Sequence, residues 1–134
     1  MIALLLNTAL LAMQGGSWPA LHFADVATSP DGTVYAVDSK AIRTRANNGV
    51  PLRTATVRVT YSEAANSQYE QAARGYYIDC AGRTAAMISS VNTARGTKRL
   101  SMEHTKIADL QYRSFSDMPS AERATMEFIC AATL

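Results

Sequence analysis

The feature that most constrains the fold is a strict alternation of apolar and polar residues between Thr54 and Tyr61. In an extended chain, Ala55, Val57, Val59 and Tyr61 point to one side and the residues between them point to the other. Such alternation is typical of an antiparallel strand with one face on a core and one face open to solvent. The sequence therefore predicts an antiparallel sheet.

Further strand-like runs flank this strand and are separated by residues typical of turns. Pro30 and Gly32 mark one turn and Asn47 to Gly49 another, because proline presets its own φ and Asn and Gly tolerate positive φ. We predict strands at 21–27, 33–38, 42–46, 54–61, 75–80 and 83–91. Residues 62–74 favour helix but have little apolar face, so we expect a long connection with one or two helical turns. Residues 107–115 indicate a weaker strand or extended segment.

The hydrophobic period changes near the carboxyl end of the chain. Four residues recur there with the spacing of one helix face, namely Met126, Ile129, Cys130 and Thr133. Ser120 is a suitable N-cap, and Glu122 in the first turn is favourable beside the positive end of the helix dipole. We therefore predict the α+β class, with a C-terminal helix of about three turns packed on one face of the sheet.

The two cysteines, Cys80 and Cys130, are predicted to form a disulfide. They fall on the inward faces of a predicted strand and of the predicted helix, so the bond would tether the helix to the sheet. Closing a loop of this length stabilises a fold by about 4 kcal/mol in the chain-entropy model. The alternative is a pair of buried free thiols. The spacing of the cysteines and histidines matches no metal motif, and we expect no metal or other cofactor.

The amino terminus has the pattern of a secretory signal peptide. Residues 2–13 are apolar at all but two positions, a run too short for a membrane span, which needs about 20 apolar residues. Small residues follow, so we predict cleavage after Gln14. We expect a signal at 1–14, a single domain at 15–134 with no transmembrane segment, and export to the periplasm, cell surface or medium. The alternative is a buried N-terminal strand or helix.

The charge balance is nearly even, since 13 Lys and Arg against 11 Asp and Glu leave a net charge of +2. This excess is too small for a dedicated nucleic-acid binder. One stretch, residues 39–62, nevertheless holds cations and no acidic residue, the cations being Lys40, Arg43, Arg45, Arg53 and Arg58. Arg43 and Arg45 share a strand face. This surface could meet an anionic envelope component, a host component or an acidic protein; the alternative is solvated edge-strand charge that prevents aggregation.

The chain has little that indicates catalysis. The two histidines are His22 and His104, and we expect His22 to lie at the surface. Ser101, Glu103 and His104 are too close in sequence to predict a catalytic triad, because the three groups of a triad normally converge from separate parts of a fold. We therefore expect no enzymatic activity.

Three short motifs resemble the surface-adhesin protein E family of bacterial envelope proteins. They are the 31–38 hairpin segment, the strand 77–80 with Arg83 after it, and Met118-Pro119-Ser120 before a helix that holds Cys130. The resemblance covers about residues 23–131. It implies an antiparallel sheet of about six strands with the C-terminal helix held on it by the disulfide. The best-known member of that family binds host matrix proteins.

These observations favour a secreted or periplasmic envelope protein that acts by binding and has no enzymatic activity. A structural or assembly component of the envelope, whose exposed edge pairs with itself or with a partner, is the first alternative. A small hydrolase is the second. The sequence predicts neither the ligand nor the oligomeric state.

Overall fold

The computed structural model describes residues 21–134, which form an open antiparallel sheet with one α-helix. The predicted signal peptide, residues 1–14, lies outside the described residues. The strands are β1 (Ala24–Thr28), β2 (Val34–Val37), β3 (Arg43–Asn47), β4 (Val50–Thr60), β5 (Tyr69–Asp79), β6 (Thr84–Ala94), β7 (Leu100–His104) and β8 (Arg113–Ser114), and the helix is α1 (Ser120–Ala131). Single 3₁₀ turns lie at Ser39–Ala41, Glu63–Ala65, Ile107–Asp109 and Phe115–Asp117.

Six of the strands form one continuous path in the order β1-β2-β4-β5-β6-β7. The long strands β4, β5 and β6 make its centre. β3 pairs with the first half of β4, and β8 pairs with the first residues of β6. The predicted sheet with a C-terminal helix on one face is confirmed. The six predicted strands correspond to β1–β6, and β7 and β8 bring the described sheet to eight.

The two faces of the sheet differ in what covers them. On one face, Val57, Val59 and Ile78 are fully buried beside Met126 and Ile129 of α1. We call this the helix face. The opposite face, which we call the open face, carries the alternate residues of the same strands, as the pattern from Thr54 to Tyr61 predicts.

The disulfide joins Cys80, just after β5, to Cys130 in the last turn of α1, with their Cα atoms 5.6 Å apart. The predicted pairing and its position between sheet and helix are confirmed. Arg53 of β4 also holds this end of the helix, because its guanidinium donates to the carbonyls of Ile129 at 2.6 Å and Ala132 at 2.8 Å. Both carbonyls lie at the C-terminal end of the helix, where carbonyl oxygens have no N–H partner four residues further along the helix.

The expectation for residues 62–74 is wrong in its second half, because strand pairing overrides local propensity. The predicted connection 62–74 contains one 3₁₀ turn, but its second half belongs to β5, where Ala72 is buried opposite Val59. The polar stretch after Gly96 includes β7, which pairs with β6. Within 107–115, only Arg113 and Ser114 are strand residues.

The helix begins one residue earlier than predicted. Pro119 occupies the N-cap position without a capping side chain, and Ser120 is the first helical residue. Thr133 lies beyond the helix and is exposed, whereas Thr125 is fully buried and donates to the carbonyl of Ala121 at 2.7 Å. Among the described residues no helix is long and apolar enough to cross a membrane.

Candidate functional site

A groove of about 450 Å³ lies on the helix face, between the start of α1 and the edge of the sheet. Strands β5, β6 and β8, the β7–β8 connection and the first turn of α1 all contribute to it. The lining residues are Arg74, Tyr76, Ala85, Met87, Thr105, Asp109, Gln111, Arg113 and Glu122. The walls thus combine two guanidinium groups, two carboxylates and apolar side chains.

A chain of hydrogen bonds runs along the floor of this groove. Arg74 donates to the hydroxyls of Tyr61 at 2.9 Å and Tyr76 at 3.3 Å. The Tyr76 hydroxyl donates to Glu122 at 3.0 Å, and Arg113 donates to the other carboxylate oxygen of Glu122 at 2.7 Å. We call these five residues the groove network.

Strand alternation and the helix start position the groove network. Arg74 and Tyr76 are two residues apart in β5, so both side chains point to the helix face. Glu122 lies in the first turn of α1, where its side chain is only 9% exposed. A carboxylate at this depth is tolerable because two donors and the positive end of the helix dipole stabilise its charge.

Arg74 is the cation of the groove network that lacks a carboxylate partner. Within the described part of the chain, the salt bridges are Arg83–Glu127, Lys98–Glu70 and Arg113–Glu122. Burial by itself lowers the pKa of Arg74, but the phenolic oxygens of Tyr76 and Tyr61 outweigh it and raise the pKa above its ordinary value. Arg74 is therefore a fixed, half-buried positive charge in the wall of a groove.

Tyr76 remains a neutral hydrogen-bond donor in this site. Burial raises the pKa of its hydroxyl well above the ordinary value, and the negative charge of Glu122 acts in the same direction. The side chain is 3% exposed. Its hydroxyl therefore links the positive charge of Arg74 to the negative charge of Glu122 without carrying charge itself.

Close packing of β5 on β6 shapes the floor beside these residues. The register shifts between Gly75 and Tyr76, because Gly75 faces Ser89 whereas Tyr76 faces Met87. A Cβ atom on Gly75 would stand 2.6 Å from the Ser89 hydroxyl, so only glycine fits without movement. This irregularity lets Tyr76 and Met87 line the same groove.

The groove network is absent from the sequence predictions for one main reason. The composition of residues 62–74 predicts a connection there, so the sequence does not place Arg74 on the strand face that it shares with Tyr76. In the structure β5 begins at Tyr69, and alternation places both side chains on the inward face. The role of Glu122 was predicted only as a favourable charge in the first helical turn, because its partners Tyr76 and Arg113 come from distant strands.

The five cations of the predicted anionic-partner surface do not lie together. The pairing register of β3, β4 and β5 places three of them on the open face, namely Arg43, Arg45 and Arg58. Lys40 lies in the turn before β3 and is exposed. Arg53 lies on the helix face and binds the end of α1, so it is unavailable to a partner on the open face.

Aromatic rings and backbone oxygens hold the three open-face arginines. The guanidinium of Arg45 lies 5.2 Å from the centre of the Tyr77 ring, and that of Arg58 lies 4.9 Å from the centre of the Phe23 ring. Arg43 donates to the carbonyls of Lys40 and Ile42. The positive charges remain unneutralised, since none of the three forms a salt bridge within residues 21–134.

The described residues contain no cluster of metal-ligating side chains. His104 is exposed in β7, and alternation directs its side chain away from the side that Ser101 and Glu103 share. Comparison with known protein families, curated proteins and solved structures found no match for this chain.

Proposed function

We propose that this protein is a binding protein of the bacterial cell envelope without catalytic activity, and that its groove binds a small ligand with an anionic group. The resemblance to the surface-adhesin protein E family and the disulfide support an extracytoplasmic role. The observation that carries the proposal is Arg74, a charged guanidinium in a groove wall whose partners are phenolic hydroxyls.

A guanidinium in this setting is suited to carboxylates and phosphates. Its planar N–H groups match the oxygens of either anion, and partial burial strengthens the attraction by lowering the local dielectric constant. Arg113, whose side chain is about half exposed, lines the same groove and brings a second positive charge. Asp109 at the exposed rim and the apolar Met87 limit the ligand to one that places its anion against Arg74.

Calorimetric titration of the purified protein tests this proposal. The probes are succinate for carboxylates, glycerol phosphate for phosphates, and glycerol as the neutral control. We expect saturable binding of at least one anion and none of glycerol, and we expect Arg74→Met to abolish it. Equal binding of glycerol, or no binding of either anion, would reject the groove as an anion site.

A variant at the rim separates binding from folding. Gln111 is exposed and lines the groove, so Gln111→Glu adds a negative charge there without disturbing the network. Affinity for the anion should fall about tenfold, as expected for a like charge at short range. The matched control is Gln68→Glu, at an exposed position outside the groove, which should leave the affinity unchanged.

The open face supports a second candidate, an anionic polymer of the envelope or of a host. That face carries three unneutralised charges, on Arg43, Arg45 and Arg58. Arg43 lies opposite Thr54 of β4, so Arg58 is about 13 Å further along that strand. Binding of dextran sulfate should be saturable and should weaken as salt rises, because exposed charges are screened within about 8 Å at physiological ionic strength.

Single charge reversals distinguish binding at this surface from attraction that depends only on the net charge of the protein. Arg45→Glu should weaken polymer binding more than Lys106→Glu, which changes the net charge equally at an exposed position in the β7–β8 connection. Equal losses would mean that only net charge matters. Neither variant touches the groove network, so anion binding in the groove is a separate measurement.

A further inference from the structure

Within residues 21–134, no strand pairs with the outer edge of β7. β7 ends the strand order, and all five of its residues are exposed. Leu100 and Met102 are 70% and 74% exposed, the largest values among the large apolar side chains described. Natural sheets usually cover, charge or shorten such an edge, because its free backbone groups recruit another strand.

The hydrogen bonds of the neighbouring segments show which backbone groups of β7 face outward. Ala94 donates to the carbonyl of Arg99 at 2.7 Å, and Thr105 donates to the carbonyl of Ile88 at 2.9 Å, so residues 99 and 105 face β6. Alternation then directs the N–H and C=O groups of Leu100, Met102 and His104 to the outside. A second strand can therefore pair only if its own outward residues lie opposite these three.

From this edge we infer that two copies of the protein pair antiparallel through β7, about a two-fold axis at Ser101. In this register Leu100 of each copy lies opposite Met102 of the other, so this pair occurs twice. Arg99 lies opposite Glu103 of the second copy, also twice. The outward backbone groups of Leu100 and Met102 hydrogen-bond across the axis, as an antiparallel ladder requires.

The charge pattern favours this register over the neighbouring one, whose axis lies at Met102. Neither Arg99 nor Glu103 forms a salt bridge within residues 21–134, so both charges are free to pair across the axis. An axis at Met102 would place Leu100 opposite His104, and Glu103 opposite Ser101, and would lose both ion pairs. Directly opposite strand residues of unlike charge stabilise a pair, and like charges destabilise it.

Sedimentation of the purified, oxidised protein over a range of concentrations tests the dimer. We expect a concentration-dependent doubling of mass, and Arg99→Glu should weaken association about tenfold by creating two like-charge pairs. Adding Glu103→Arg to that variant should restore association, because the pairs re-form with exchanged signs. A monomer at every concentration, or a double variant as weak as the single one, would overturn the proposal.

Disulfide trapping tests the position of the axis. Ser101→Cys places two thiols opposite each other at a non-hydrogen-bonded position, where Cβ atoms lie about 4.5–5.5 Å apart, so mild oxidation should give a covalent dimer. Met102→Cys should react more slowly. Faster trapping through Met102→Cys would reject the axis at Ser101. If the dimer forms before the disulfide, Arg99→Glu should also slow trapping through Ser101→Cys.

Discussion

Arginines on the two faces of the sheet have different partners, even where two of them belong to the same strand. On the helix face, Arg53 and Arg74 donate to oxygen atoms and hold the fold together. On the open face, Arg45 and Arg58 lie over aromatic rings, and their charges remain unneutralised. Arg53 and Arg58 are five residues apart in β4, an odd number that sends them to opposite faces.

This difference shows that a local excess of positive charge does not define a binding surface in a β protein. Strand parity divides the cations between a face where they stabilise structure and a face where they are available to partners. Residues of the same type on the two faces, or in buried and exposed positions of the same helix, should therefore differ in how much their substitution changes stability.

The largest effect is expected at the disulfide that anchors α1 to the helix face. The double variant Cys80→Ala/Cys130→Ala should lower the free energy of unfolding by about 4 kcal/mol, because the unfolded chain regains the freedom of a fifty-residue loop. Urea unfolding measures the loss. Reduced wild-type protein is the control and should show a similar loss; a change below about 1 kcal/mol in both would contradict the anchoring role.

The next effect concerns two glutamates of α1. Glu122→Ala should lower the free energy of unfolding by about 3 kcal/mol, because the buried Tyr76 hydroxyl and Arg113 both lose their acceptor. Glu127→Ala removes an exposed pair with Arg83 and should cost at most about 1 kcal/mol. Equal losses would mean that the groove network adds nothing beyond a surface ion pair.

A smaller effect separates the arginines of the two faces. Arg53→Met should lower the free energy of unfolding by about 2 kcal/mol, since two charged hydrogen bonds to the end of α1 are lost. Arg43→Met, on the open face, should change it by less than about 0.5 kcal/mol. The same unfolding experiment checks both variants, and the reverse order would contradict the assignment of faces.

The parts of the fold that follow from local periodicity could be predicted from the sequence. Alternation predicts Val57 and Val59 on the buried face of the strand, and helical spacing predicts Ile129 on the buried side of the helix. Each of these patterns repeats over several residues, so it is visible without knowledge of distant partners. The disulfide followed from the cysteine count and the expected compartment.

The parts that were missed depend on partners far along the chain. β7 is polar and exposed, so no alternation marks it, and its pairing with β6 alone makes it a strand. The first half of β5 has a helix-favouring composition that pairing with β4 overrides. In the groove network Tyr76 bonds to Glu122, 46 positions further along the chain, and no local pattern indicates such a contact.

The smallest effect is a pH dependence that arises from Tyr76 on the helix face. Its pKa is raised in the folded protein by burial and by Glu122, while in the unfolded chain it returns to about 10. Below pH 10 both states keep the proton, so Tyr76 contributes no pH dependence. Above pH 10 the unfolded chain releases a proton that the folded chain retains, and the free energy of unfolding therefore falls as pH rises.

The expected contribution of Tyr76 is a loss of about 1 kcal/mol between pH 10 and pH 11. Urea unfolding at pH 9, 10 and 11 measures it in the wild type and in Tyr76→Phe. The variant should be less stable at pH 9, because the groove network loses its link between Arg74 and Glu122, yet its stability should fall less steeply above pH 10. Identical slopes in the two proteins would show that the Tyr76 hydroxyl is not held in its neutral form by the helix face.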